Sequence, residues 1–202
     1  MVPVAEVQGE VMKPTIPVPA PIRDRWIKTY SGVHFHPLAP KAKDILIEDI
    51  AHALSNQCRF AGHTSRFYSV AEHSVNVMRW TMRLAGSKAN RRLLLAALLH
   101  DASEAYLVDV PSPIKSAFTG YAEAEDRLSR MIANKFGAAY PWPELVPKAD
   151  WQMLGAEADE LVGGTEDWGI PVVKPALMPI GGMAPDVARS VFLTAFYNLQ
   201  KF

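Results

Sequence analysis

The residues best suited to chemistry stand at three separated places in the chain. His100-Asp101 follows directly on the apolar run Leu93-Leu94-Leu95-Ala96-Ala97-Leu98-Leu99. A charged pair sunk in such a run costs several kcal/mol to desolvate unless something compensates it. A divalent cation compensates both members, since imidazole and carboxylate are its usual ligands. Further donors are offered by His73, in Ala71-Glu72-His73-Ser74, and by Asp150, in Lys148-Ala149-Asp150. Each alone has an ordinary explanation. A lone histidine is commonly a core or surface residue, and Asp150 by itself is a helix N-terminal carboxylate stabilised by the dipole. What points to a metal is their order, His, then His-Asp, then Asp, because bundles build metal sites from inward polar residues on successive apolar helices.

Those donors need helices to hold them. Ile47, Ile50, Ala51 and Leu54 recur at helical spacing and predict a short helix ending near Asn56. Cys58 to Tyr68 reads as a loop. Ser69 with Glu72 three residues on is a capping-box pattern, opening a helix that ends near Gly86. Ser87 is the candidate cap of the next helix, through Arg91 to Leu99, whose all-round apolar character suits the centre of a bundle. Beyond the turn Asp109-Val110-Pro111-Ser112-Pro113, helical patterns cover about 121–137, 144–162 and 185–200, with Gly163-Gly164 and the 171–182 stretch separating the last two. Upstream, Trp26 to Phe35 reads as a small hairpin around Ser31-Gly32. Residues 1–25 hold five prolines and read as an extended or disordered arm. The expected fold is an all-α helical bundle with a small N-terminal β-hairpin, one domain over 26–202.

Composition sets limits. At 202 residues and 49% hydrophobic, the chain suits one ordinary core. Its 21 basic and 21 acidic residues balance, so no whole-chain field draws it to nucleic acid or acidic lipid. The single cysteine, Cys58, excludes an internal disulfide framework and a multi-cysteine zinc site. No apolar run approaches the roughly 20 residues of a membrane span, and the N-terminus lacks the order of a secretory signal; the cytoplasm is the expected location. There is no P-loop and no Gly-x-Gly-x-x-Gly after a strand.

His73, His100-Asp101 and Asp150 resemble, in order, the defining residues of the HD-domain phosphohydrolase superfamily. The text around them is similar too, in Glu72-His73-Ser74, in His100-Asp101-Ala102-Ser103-Glu104 and in Asp109-Val110-Pro111-Ser112-Pro113. The likeness covers about residues 26–162 and is greatest to the branch of bacterial 5'-deoxynucleotidases and phage-type dNTP triphosphohydrolases. The resemblance implies that His73, His100, Asp101 and Asp150 bind one divalent cation (Mn, Co, Fe, Zn or Mg). It implies that Glu104 and Asp109 position or deprotonate the attacking water and touch a second cation arriving with the substrate. It places Arg59 against substrate phosphate or sugar and Phe60 against the nucleoside, with Lys115 steering phosphate and His63, in the same loop as Arg59, facing either the cavity or the surface. A homodimer is implied by the relatives alone.

Such a set would hydrolyse a nucleotide phosphate ester by attack of a metal-activated water. A non-catalytic nucleotide- or signal-binding protein is the competing reading, against which stand the extra carboxylates Glu104 and Asp109. A cyclic-nucleotide phosphodiesterase is disfavoured because those catalytic domains are longer and carry additional histidine ligands.

Overall fold

The computed structural model describes residues 25–165, 168–170 and 180–201. The proline-rich arm expected over 1–25 therefore lies outside the described residues except for Arg25, as does most of 171–182. The expected hairpin is present. Strands β1 (Ile27–Lys28) and β2 (His34–Phe35) pair antiparallel with Ile27 opposite Phe35 and Lys28 opposite His34. Ser31 closes the turn onto the first helix, its backbone and hydroxyl both donating to the Asp49 carboxylate.

The rest is helical: α1 (Ile47–Asn56), α2 (Val70–Ala85), α3 (Arg91–Leu99), α4 (Glu104–Leu107), α5 (Ser112–Lys115), α6 (Tyr121–Phe136), α7 (Leu145–Leu161) and α8 (Pro185–Gln200). Helix α2 is the axis of the bundle, packed against α7, α3, α8 and α1. Its first nine residues, Val70 to Met78, are all buried. Leu95, Leu98 and Leu99 of α3 meet Leu54, Leu128, Ile132 and Phe192 in the same core. Complete burial of each such side chain contributes about 1.5–3 kcal/mol. Among the described residues no helix is long and apolar enough to cross a membrane.

Two local expectations are corrected. Ser87 does not cap α3: it lies in a 3-10 turn, Gly86–Lys88, and Asn90 is the cap, accepting from Leu93 N. Asn90 wins because its side chain reaches a free N–H of the first turn, which Ser87 is too far upstream to do. The capping box at α2 is half built. Ser69 accepts from Glu72 N at 3.1 Å, but the Glu72 carboxylate turns away to accept from Gly181 N and Met183 N, tying the return segment before α8 to the start of α2. The apolar helix stops at Leu99, where the sequence reading ends it. His100 to Ser103 form a turn, and Glu104 begins a separate short helix, α4.

Candidate metal centre

That break in the helix builds the site. His100 caps α3 while its Nδ1 bonds the Ala97 carbonyl at 2.9 Å, which leaves Nε2 pointing outward. His73, fully buried in the first turn of α2, presents Nε2 to the same point from the other side. The two Nε2 atoms are 3.3 Å apart. Asp101 Oδ2 lies 3.2 Å from His100 Nε2 and 3.4 Å from His73 Nε2. Asp150 Oδ1, from α7, lies 3.7 Å and 3.1 Å from the same two atoms. All four expected ligands thus converge.

The spacing suits a small cation. Donors about 2.0–2.2 Å from a common ion lie roughly 3.0–3.5 Å from one another, and two imidazoles with two carboxylates form a nitrogen–oxygen set characteristic of first-row divalent metals. His73, His100 and Asp150 also satisfy, as a trio, the mutual distances of a metal-holding group. Charge tells the same story. Burial alone would raise the pKa of Asp101, yet His100 and His73 hold it well below the usual carboxylate range. Burial opposes His100 too, but the Asp101 charge and hydrogen bonds to Asp101 and Asp150 carry it up to about 10.

The structure adds a residue the sequence reading missed. Glu157, fully buried on α7, accepts from His73 Nδ1 at 2.7 Å, from the Tyr68 hydroxyl at 2.7 Å and from Arg59 Nε at 3.2 Å. A carboxylate behind a ligating imidazole fixes its tautomer and orientation. Glu157 sits seven residues after Asp150, two helical turns on the same face, and that spacing was the signal available in the sequence. Gln57, also missed, accepts from Asp109 N and donates to the Glu104 carbonyl, so one side chain at the end of α1 holds the backbones of both expected catalytic carboxylates.

Glu104 is buried and its Oε2 has no hydrogen-bond partner among the described residues. Burial, then the charges of Asp101 and Asp109, push its pKa well up. Asp109 is raised as well, by burial first, against the pull of Arg59. Arg59 runs between Glu157 and Asp101, the latter at 3.5 Å, so its guanidinium borders the donor cluster. Phe60 follows it with φ of 55°, and Val108, with φ of 70°, precedes Asp109. Left-handed backbone at bulky residues is strained and collects at functional sites. Phe60 packs beside Arg59 and 6.4 Å from Trp168. Lys115 pairs with Glu125 at 2.5 Å. His63 is exposed, and its side chain makes no hydrogen bond or ion pair among the described residues.

Comparison with known proteins agrees with this geometry. Residues 70–146 match the model of the HD domain, a span holding His73, His100, Asp101, Glu104 and Asp109. The chain is 37% identical over 183 residues to the uncharacterized protein YfdR of Escherichia coli, covering 87% of this chain and 96% of that one. It is 40% identical over 189 residues to an uncharacterized protein of Rhodobacter capsulatus, again with 87% and 96% covered. The chain belongs to the HD-domain phosphohydrolase superfamily. HD domains bind divalent metals and act as metal-dependent hydrolases, and among the described residues His73, His100 and Asp150, with Asp101 beside them, form a group that could hold such an ion.

Proposed function

We propose that this HD-domain chain hydrolyses nucleotide phosphate esters, deoxynucleotides included, by attack of water on phosphorus. The observation that carries the reading is the convergence of His73, His100, Asp101 and Asp150 beside an unpartnered buried carboxylate, Glu104. A phosphate ester resists water because the nucleophile is weak and the centre is screened by anionic oxygens. His73, His100, Asp101 and Asp150 would hold a divalent cation, which would supply the remedy for both by acidifying a water and offsetting phosphoryl charge.

The chain's own residues do the rest. Glu104, buried and with its Oε2 unpartnered among the described residues, takes the proton from the attacking water. Asp109 stands beside it and shares in that proton's placement. Arg59 offers the face of its guanidinium not used by Glu157 to a phosphate oxygen, and its anchoring keeps that charge fixed in place. The Nδ1 contacts of His73 to Glu157 and of His100 to Ala97 aim both imidazoles before anything binds.

The test is a panel of nucleoside mono- and triphosphates given to metal-stripped protein resupplied with Mn, Co, Fe, Zn or Mg, reading phosphate and triphosphate separately. Cation-dependent release of either from nucleotides is expected. Tight nucleotide binding without turnover under every cation would favour the non-catalytic reading instead.

A further inference from the structure

A cavity of about 330 Å³ opens between the hairpin, α1 and α4, and none of His73, His100, Asp101 and Asp150 borders it. That volume suits one compact ligand. Its walls are fastened to one another before anything enters. Ser31 ties the hairpin to Asp49 of α1 at 2.7 and 2.8 Å. Phe35 of β2 stacks on Tyr106 of α4 at 3.9 Å between centroids. Gln57 Nε2, at the end of α1, donates to the Glu104 carbonyl at 3.1 Å, clipping α1 to α4. A cavity held open in this way asks for little ordering when a ligand binds.

Three of its side chains offer unused donors. Tyr106 is 6% exposed, and its hydroxyl has no hydrogen-bond partner among the described residues. Burial, then the Asp49 charge, keep that hydroxyl protonated. The Leu46 N–H beside it can only donate to its oxygen, so its own proton lacks an acceptor. The imidazole of half-buried His52, stacked on Tyr30 at 3.9 Å, carries an N–H in either tautomer, and exposed Lys28 carries an ammonium. Neither side chain makes a hydrogen bond or ion pair among the described residues. The carboxylate on the wall, Asp49, is 2% exposed and already accepts from Ser31 on each oxygen. Ile27, Ala53 and Ala105 supply hydrocarbon. A cation entering here would meet Lys28 and find the Asp49 oxygens engaged, whereas an anion meets three waiting donors.

We propose that this cavity is a binding site for a compact organic carboxylate, its oxygens taking the Tyr106 hydroxyl and the Lys28 and His52 donors, its hydrocarbon body lying against Ala53 and Ala105. The inference stands apart from the hydrolase reading, because it needs neither a cation nor the Glu104 carboxylate.

Benzoate is the probe, titrated by calorimetry into the cation-free full chain, with benzamide, benzylamine and inorganic phosphate as controls. Wild type is compared with Y106F, K28M, A53L and H100A. Saturable one-to-one binding of benzoate is expected, with benzamide weaker because it lacks the charge. Loss of a hydrogen bond to a charged acceptor predicts a Kd at least about tenfold higher in Y106F. K28M should weaken binding most at low ionic strength, since that ammonium is exposed. A53L fills the cavity from the α1 side and should remove binding, while Y106F and K28M keep the test open if A53L folds poorly. H100A should bind benzoate as wild type does, which separates this site from the metal centre. Absence of saturable binding, or a Kd unmoved by both Y106F and K28M, overturns the assignment. So does preference for benzylamine, or phosphate binding as tightly as benzoate with the same dependence on Tyr106, or loss of benzoate binding in H100A.

Discussion

Glu157 Oε1 lies 2.7 Å from His73 Nδ1, so a fully buried carboxylate on α7 sets the direction in which a fully buried imidazole on α2 offers its other nitrogen. The same carboxylate takes Arg59 Nε. The candidate metal ligand His73 and the proposed phosphate contact Arg59 are therefore coupled through one side chain. Burial alone would raise its pKa; His73 and Arg59 hold it down, keeping it an acceptor for both.

Replacing it tests that coupling. Glu157→Gln keeps the shape, removes the charge and should weaken cation affinity by about 10–100-fold, read by calorimetry, with the circular dichroism spectrum retained. Unchanged affinity would show that His73 needs no partner behind it.

The four donors make a sharper prediction. Asp150→Ala or His100→Ala should lower bound metal from one equivalent towards none and abolish hydrolysis together, as read by elemental analysis and phosphate release. Full metal content in either variant contradicts the assigned ligation.

Glu104 should separate binding from chemistry. Glu104→Gln is expected to retain the cation while kcat falls by about 10²–10⁴, the range for loss of a general base. A rate within threefold of wild type moves the proton to Asp109 or elsewhere.

Cation binding and pH are linked through the histidines. The folded pKa of His100 is about 10 against an ordinary 6.5, so its contribution to stability is full below about 6.5 and lost as pH rises through 10. His73 is raised too, against burial and Arg59, by Glu157 and the two aspartates. Asp101 and Asp150, both lowered by the histidines against burial, contribute above about 3.8 and lose that contribution as pH falls. The urea midpoint of metal-stripped protein should therefore peak between about pH 4 and 6.5 and decline toward 10. Added Mn should raise the midpoint more at pH 8.5 than at pH 6, because protons compete for the imidazoles. Equal gains at both values refute this linkage.

The core behaves independently of the site. Leu98→Ala removes a fully buried side chain and should cost about 2–5 kcal/mol in urea unfolding. A loss below 1 kcal/mol would mean that the α3 contacts do not hold the bundle together.

The candidate donors were readable from the chain alone because they are a matter of side-chain type and order: two imidazoles and two carboxylates embedded in apolar helical text suit a cation. Helix α2 and the C-terminal helices were readable for a similar reason, since an apolar stripe of period 3.6 is local. What needed the folded molecule was whatever depends on distance between segments. Glu157 looks in sequence like part of the charged run Glu157-Ala158-Asp159-Glu160, and only the packing of α7 on α2 buries it against His73, 84 residues away. Glu72 satisfies the letter of a capping box yet spends its carboxylate on Gly181 and Met183, because tertiary contact offered two backbone donors where the local motif offered one. The cavity beside Tyr106 is a gap between elements and has no sequence of its own. Residue types decide which chemistry a chain can perform; burial and inter-helix distance, which no short window contains, decide which copies of those types perform it.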